Sequence, residues 1–289
     1  MKRSILTGLL LFVALASAGC FLGGPKNDPI LQLAADESLE RGRELMEEEK
    51  YRKARDYLTH AFEVEPNSRT GREALLLVAD CYYLDGGVGN YIQAEAKYRD
   101  FLNRFPTSDQ AAYAQFQIAN SLAQRMEKPD RDQSATMDAR SAYRELIRLY
   151  PTSQYAEEAS EKLDAVEENL AAHELLVGRF YYKYRNYPGA ILRLENLIEN
   201  YPSYSNLDEA LYFLGMSYRE SRSAKGLGKA LAAFERLHDE FPDSPYAQDV
   251  PSLAKIRERM EAQADRETQA GSEELPVPPD APAVDEVGG

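Results

Sequence analysis

Few residues of this 289-residue chain have the types and spacing that chemistry requires. The three histidines, His60, His173 and His238, lie far apart, and each falls inside a helical pattern. His173 sits on an apolar stripe, where an imidazole packs rather than ligates. His-Glu-x-x-His, Cys-x-x-Cys and Gly-x-Ser-x-Gly are all missing from the sequence. Activated metal-bound water, dithiol redox and serine acylation therefore lack their residues. Gly226-Leu227-Gly228-Lys229 looks briefly like a phosphate loop. Ala230 stands where the Mg²⁺-binding Ser or Thr belongs, and Ser223 where the first glycine belongs, so this stretch reads as a hairpin loop. Acidic clusters such as Glu47-Glu48-Glu49 read as solvated helix faces, too scattered to name an acid–base pair. The expectation is no enzyme, no metal and no cofactor, which leaves surface.

The elements that carry that surface are set by one spacing. An alanine is followed twelve residues later by a proline five times: Ala54–Pro66, Ala94–Pro106, Ala139–Pro151, Ala190–Pro202 and Ala230–Pro242. Four after each alanine stands Leu58, Tyr98, Tyr143, Leu194 or Phe234. Seven after it stands Ala61, Phe101, Leu146, Leu197 or Leu237. Positions 0, +4, +7 and +11 share one helix face. The proline ends the helix. The serines that follow (Ser68, Ser108, Ser153, Ser244) can cap the next one, and Thr70 with Glu73 has capping-box spacing.

A second small residue upstream marks a preceding helix: Gly42, Ala79, Ala119, Gly178 and Gly215. Small residue, twelve, alanine, twelve, proline resembles the tetratricopeptide repeat, a helix–turn–helix unit. Where the first gap exceeds twelve, turn-rich insertions account for it, at Asp85–Asn90, Lys128–Asp138 and Ser221–Gly228. From Pro151 to Gly178 there are 27 residues, without an internal proline. The pattern predicts one helix of about 30 residues, roughly 45 Å long. The predicted fold is all-α: a tetratricopeptide superhelix of about five helical hairpins, with a long helix joining repeats 3 and 4. Residues 36–154 form front repeats 1–3. Residues 155–264 hold the joining helix, repeats 4–5 and a capping helix from about Ser252 to Ala264.

Lys2 and Arg3 precede an apolar run from Ile5 to Ala18, followed by Gly19 and Cys20. The run is too short to span a membrane and fits a signal peptide over 1–19. Small residues before a cysteine resemble the bacterial lipobox, although Ser17 stands where leucine is usual. That resemblance implies a covalent lipid on Cys20, with Phe21 after it favouring the outer membrane. Residues 20–35 read as a leash. Cys81 lies beside Tyr82 and Tyr83 on an apolar helix and is expected to be a buried thiol. Losing Lys2 and Arg3 takes the net charge from −14 to −16, which argues against nucleic acid and against anionic lipid as electrostatic partners. Residues 265–289, rich in Pro, Asp and Glu, read as a disordered acidic tail.

Helical hairpins of this kind present their first helices along a face suited to extended peptides. By register, that face holds Leu39, Arg43 and Met46 from repeat 1, Leu76, Asp80 and Tyr83 from repeat 2, and Phe116 and Asn120 from repeat 3. The same side chains also suit the core between repeats.

The order of parts resembles the BamD family, lipoproteins of the β-barrel assembly machine of Gram-negative bacteria. The resemblance runs from about residue 30 to 260. Asp130-Arg131-Asp132, Tyr150-Pro151-Thr152-Ser153-Gln154-Tyr155 and Arg193-Leu194-Glu195 before Tyr201-Pro202 are similar to that family's segments. It implies a non-catalytic scaffold, lipid-anchored on the periplasmic face of the outer membrane. Its back half would dock a POTRA domain of the β-barrel insertase through Arg193 and Glu195. Its front groove would receive unfolded outer-membrane proteins, and other assembly-machine lipoproteins would be partners. A guanidinium such as that of Arg193 suits a bidentate carboxylate contact; the bland alternative is an exposed arginine without a partner. A different class also fits, an envelope-organising repeat lipoprotein that binds peptidoglycan or a division complex.

Overall fold

The computed structural model describes residues 29–220 and 223–272. The expected signal peptide, Cys20 with its lipid, the start of the leash and the tail beyond residue 272 lie outside the described residues. Those described contain helices and no strand. They belong to two compact units: Met1–Arg125 with Ser141–Ala159, and Met126–Arg140 with Ser160–Gly289.

In the first unit, a 3-10 turn at Pro29–Gln32 leads into α1 (Ala35–Glu47) and α2 (Tyr51–Val64). The hairpin of α3 (Arg69–Asp85) and α4 (Val88–Arg104) follows, and α5 (Ala111–Ala123) packs on α4. The later part of α6 (Ser134–Leu149) and the first turn of α7 (Ala156–Lys183) complete it. The second unit holds the rest of α6 and α7, then α8 (Tyr187–Asn200), α9 (Leu207–Arg219) and α10 (Ala224–Glu240). It ends with the short α11 (Pro245–Gln248) and with α12 (Leu253–Ser272), which packs on α10. At 28 residues, α7 is the long helix the sequence predicts.

The alanine register is the core. All fifteen side chains at positions 0, +4 and +7 are at most 1% exposed. Position +11 is shallower, and Glu65 is exposed. The upstream small residues have a geometric reason. A methyl built on Gly42 would stand 2.5 Å from Leu58 Cδ2, one on Gly178 2.8 Å from Leu194, and one on Gly215 2.5 Å from the Phe234 ring. Each glycine therefore makes room for the +4 side chain of its own hairpin partner. The pre-proline residues Glu65, Phe105, Tyr201 and Phe241 share one backbone state, with φ from −130 to −136° and ψ from 57 to 65°. That is outside the α region, as the following ring demands.

The two hairpins without insertions close in one way. Glu49 and Arg185 adopt the left-handed conformation, with φ of 57° and 59°. Lys50 N–H donates to Leu45 O at 2.8 Å and Asn186 N–H to Tyr181 O at 2.9 Å. Glu49 N–H and Arg185 N–H donate to Met46 O and Tyr182 O, both at 2.9 Å. These are Schellman motifs with a non-glycine residue in the strained position.

Several local expectations need correction. Ser68 and Ser244 cap α3 and α11 by accepting from the backbone N–H groups of Gly71 and Tyr246, whereas Ser108 accepts from Gln110 N–H but stands ahead of the α5 cap position, which Gln110 holds without a side-chain cap. Ser153 does not cap, and its Oγ is buried without a partner among the described residues. Thr70 lies inside α3, and its hydroxyl donates to Asp36 at 2.7 Å, because Ser68 already holds the cap. Gly226–Lys229 is not a loop. Ser223 caps α10 by accepting from Gly226 N–H at 3.1 Å, and Leu227 is buried, so these glycines are helical. The last helix runs past Ala264 to Ser272. Its Glu267 accepts from the free Ala224 N–H at the start of α10, at 3.1 Å, which ties that extension down.

Candidate functional site

The first unit carries a cleft of about 600 Å³ between α3, the α4–α5 turn, α5 and the start of α7. Its α3 wall is a single helical ladder of Arg69, Arg72, Glu73, Leu76 and Asp80. Opposite stand Gln110 and Tyr113 of α5 and Tyr155 ahead of α7. Tyr98 donates its hydroxyl to Asp80 Oδ1 at 2.5 Å, and Tyr113 donates to the same oxygen at 2.8 Å. Burial raises the Asp80 carboxyl, and the two tyrosine hydrogen bonds oppose that rise. Burial and the Asp80 charge push both phenols well above their ordinary range, so they stay neutral donors. Tyr155 stacks on Phe116 with centroids 5.3 Å apart, which fixes that wall.

Of the eight residues placed on this face by register, Leu76 and Asp80 line the cleft. Arg43 bridges α1 to α3 through Glu73 and pairs with Glu40 at 3.2 Å. Leu39 is 6% exposed and belongs to the first hydrophobic cluster, and Met46 packs against it. Phe116 and Asn120 are core as well: Phe116 carries Tyr155, and Asn120 Oδ1 accepts from Tyr143 at 2.8 Å. Tyr83 packs on Tyr91 at 5.7 Å rather than lining the cleft. A first helix here is buried on two sides, so register alone does not separate its groove face from its core face. Arg69, Arg72, Glu73, Gln110, Tyr113 and Tyr155 are among the lining residues that register missed. For the two arginines, counting back along the ladder from Asp80 would have found them.

The second unit offers a different surface on α8. Arg193 Nη1 donates to both carboxylate oxygens of Glu174 of α7, at 3.3 and 3.4 Å, so the side chain is neither free nor fully committed. Glu195 accepts from Lys229 Nζ at 3.0 Å and from the Tyr218 hydroxyl. Burial pushes the Glu195 carboxyl up, but these two donors outweigh it and hold the group below its ordinary range. Leu192, 68% exposed, immediately precedes Arg193 and lines a shallow hollow with Tyr187, Pro188, Ile191 and Glu195. A large apolar side chain this exposed, flanked by a half-exposed arginine, has the composition of a docking patch.

Neither surface has metal-site chemistry. Among the described residues no group of three or more His, Cys, Asp or Glu could hold an ion, and no helix is long and apolar enough to cross a membrane. His60 Nε2 sits 3.1 Å from Leu33 O and His173 Nδ1 2.7 Å from Pro129 O, as packed histidines do. Cys81 is fully buried, and burial pushes its thiol up to about 12.

Residues 32–225 match the family described as outer membrane lipoprotein, YfiO. The outer membrane protein assembly factor BamD of Rickettsia prowazekii is 31% identical over 218 residues, which cover 75% of this chain and 85% of that protein. The protein of the same name from Caulobacter vibrioides is 29% identical over 218 residues, 75% of this chain and 70% of its own length. Among solved structures, the TPR2AB-domain:pHSP90 complex of yeast Sti1 covers 82% of this chain and 93% of its own, with TM-score 0.38 and 14% identity.

Proposed function

This chain belongs to the YfiO family of outer membrane lipoproteins, and we propose from this that it is an outer-membrane protein assembly factor acting as a non-catalytic scaffold. The family match carries the reading, since it spans the helical hairpins from α1 to the start of α10. The names of the relatives favour assembly over the envelope-organising alternative. In this reading Cys20 bears the lipid that holds the chain at the periplasmic face of the outer membrane. The α8 patch, with Arg193, Glu195 and the exposed Leu192, docks a POTRA domain of the β-barrel insertase. The cleft of the first unit receives unfolded barrel proteins as extended segments. Other lipoproteins of the machine bind elsewhere on the acidic surface.

Arg193 is suited to its role because only its Nη1 is engaged by Glu174, and 41% of the side chain stays exposed, so the rest of the planar guanidinium can take a second carboxylate. The test pairs two measurements. Depleting the protein is expected to lower many outer-membrane barrels together. Arg193→Glu, which sets a carboxylate against both Glu174 and the partner's acidic group, is expected to cut insertase recovery on co-purification at least about tenfold, the scale of a lost interface arginine. Normal barrel levels with failed septation would favour the envelope-organising class. Unchanged insertase recovery would remove Arg193 from the interface.

A further inference from the structure

In the second unit, the last helix ends beside the apolar hollow on α8. Three contacts fix the path of α12 along α10. Arg257 Nη2 lies 3.0 Å from Glu235, Met260 lies beside Gly228, and Glu267 accepts from Ala224 N–H at 3.1 Å. The helix therefore runs back along α10 and ends, at Ser272, beyond the start of that helix. The hollow opens at the same edge. Tyr187, Pro188, Ile191 and Leu192 of α8 line it, and so does Glu220 at the end of α9, a few residues before α10 begins. Its carboxylates are already engaged: Glu195 by Lys229 and Tyr218, and Glu220 by Arg219 at 3.0 Å. The exposed cations of this edge are not. The side chains of Arg185, in the α7–α8 turn, and Lys225, in the first turn of α10, make no hydrogen bond or ion pair among the described residues.

An apolar hollow rimmed by unpaired cations suits a segment that is apolar and anionic. Residues 273–289 of this chain have that composition. Leu275-Pro276-Val277-Pro278-Pro279 is apolar, Glu273, Glu274 and Asp280 flank it, and no Lys or Arg follows Ser272. Proline-rich segments of this kind are preset to extend and dock on aromatic-lined grooves. At ~3.1 Å per residue the stretch from Ser272 to Pro279 reaches about 20 Å. Packed helices stand about 8–10 Å apart, and α8 is already joined to α10 through Glu195 and Lys229. The span is therefore sufficient. We infer that the tail is a strap over this hollow: its Leu-Pro-Val-Pro-Pro run packs on Tyr187, Pro188 and Leu192, and its flanking carboxylates meet Arg185 and Lys225. A segment tethered so close acts at about millimolar effective concentration, so modest contacts suffice. The strap stands on the geometry of the second unit alone. It covers Leu192 beside Arg193, so an incoming insertase must displace it, and that consequence rests on the docking reading above.

The experiment uses the full chain and a fluorescein-labelled peptide of residues 273–289, with binding read by anisotropy. Leu275→Asp with Val277→Asp releases the chain's own strap without touching a described helix. The released variant is expected to bind the peptide at least about tenfold tighter than the wild type, whose own tail competes at high effective concentration. Adding Leu192→Asp is expected to weaken that binding about tenfold, the scale of one lost apolar anchor. Leu192 is 68% exposed, so this change spares the core. Equal binding by wild type and released variant, or binding by neither, would overturn the strap. Binding that survives Leu192→Asp would overturn its place in this hollow. Sedimentation supplies the third arm: a wild-type dimer that the tail substitutions dissolve would give the hollow to a second copy's tail and overturn closure within one chain. Insertase recovery on co-purification is expected to rise several-fold in the released variant. If the peptide arms succeed and recovery does not change, the docking reading falls and the strap stands.

Discussion

Gly215→Ala tests why this chain places a small residue upstream of each repeat alanine. A methyl there would stand 2.5, 2.7 and 2.7 Å from Cε1, Cδ1 and Cζ of Phe234. Phe234 is completely buried, so its ring has no free space to move into. Overpacking of this kind costs about 1–3 kcal/mol. Alanine in place of glycine returns about 0.8–1 kcal/mol of helix propensity. The net expectation is a loss of about 1–2 kcal/mol, near the upper half because the contact is so short. Phe234→Leu alone should cost about 1–2 kcal/mol through lost burial. Leucine has no atoms where Cε1 and Cζ stood, so the double variant gives the new methyl a place. The two changes should then couple by at least ~1 kcal/mol, with the double variant more stable than the sum predicts. Gly228→Ala, also near the start of a helix hairpin partner, is the control. Its methyl would meet only Met260 Sδ at 3.5 Å, an ordinary contact. That variant should gain about 0.5–1 kcal/mol. Urea unfolding followed by far-UV circular dichroism measures all four proteins, compared at matched slopes. A stabilised Gly215→Ala, or additivity within ~0.5 kcal/mol, would refute the reasoning.

Two further expectations concern backbone and charge. Arg185 holds a left-handed conformation that costs an L-residue about 1–2 kcal/mol. Arg185→Gly should therefore gain about 0.5–1 kcal/mol net, raising Tm by a few degrees in a thermal melt; a lower Tm would contradict the assigned strain. Burial holds the Asp80 carboxyl above its unfolded value, near 3.9, despite the tyrosine hydrogen bonds. Between the two values the folded chain binds the more protons, so this group's contribution to stability falls as pH rises through that window. The urea stability of wild type minus that of Asp80→Asn should decline from about pH 4 upward and then level off; a flat difference across the acid range would refute it.

Much of the fold was legible because the repeat writes its buried positions at fixed offsets. Ala54, Leu58 and Ala61 and their four counterparts are the most buried side chains of their helices for the reason the spacing implies. The long helix was legible from a missing proline. The groove was less so. Phe116 and Asn120 share the register of cleft residues but are consumed by Tyr155 and Tyr143, contacts that come from distant segments. Gly226 and Gly228 carry the composition of a loop, and only the cap from Ser223 and the burial of Leu227 make them helical. Arg193 was legible as an arginine of interest, but Glu174 lies nineteen residues away and one helix earlier, beyond any local pattern.

The uneven lengths of the hairpins have a practical consequence. The extra residues all fall within hairpins: they lengthen α3 and α4 around the Gly86–Gly87 turn, occupy the 124–133 connection, and extend the start of α10. The turns between hairpins stay short and share one pre-proline geometry. Length is therefore negotiable at one class of corner and not at the other. A tag or a reporter grafted beside Gly87, where neither glycine's missing methyl would strike anything closer than 3.6 Å, should leave the packed register untouched. The same graft after Pro106 or Pro202 would pull apart helices whose spacing the whole array depends on.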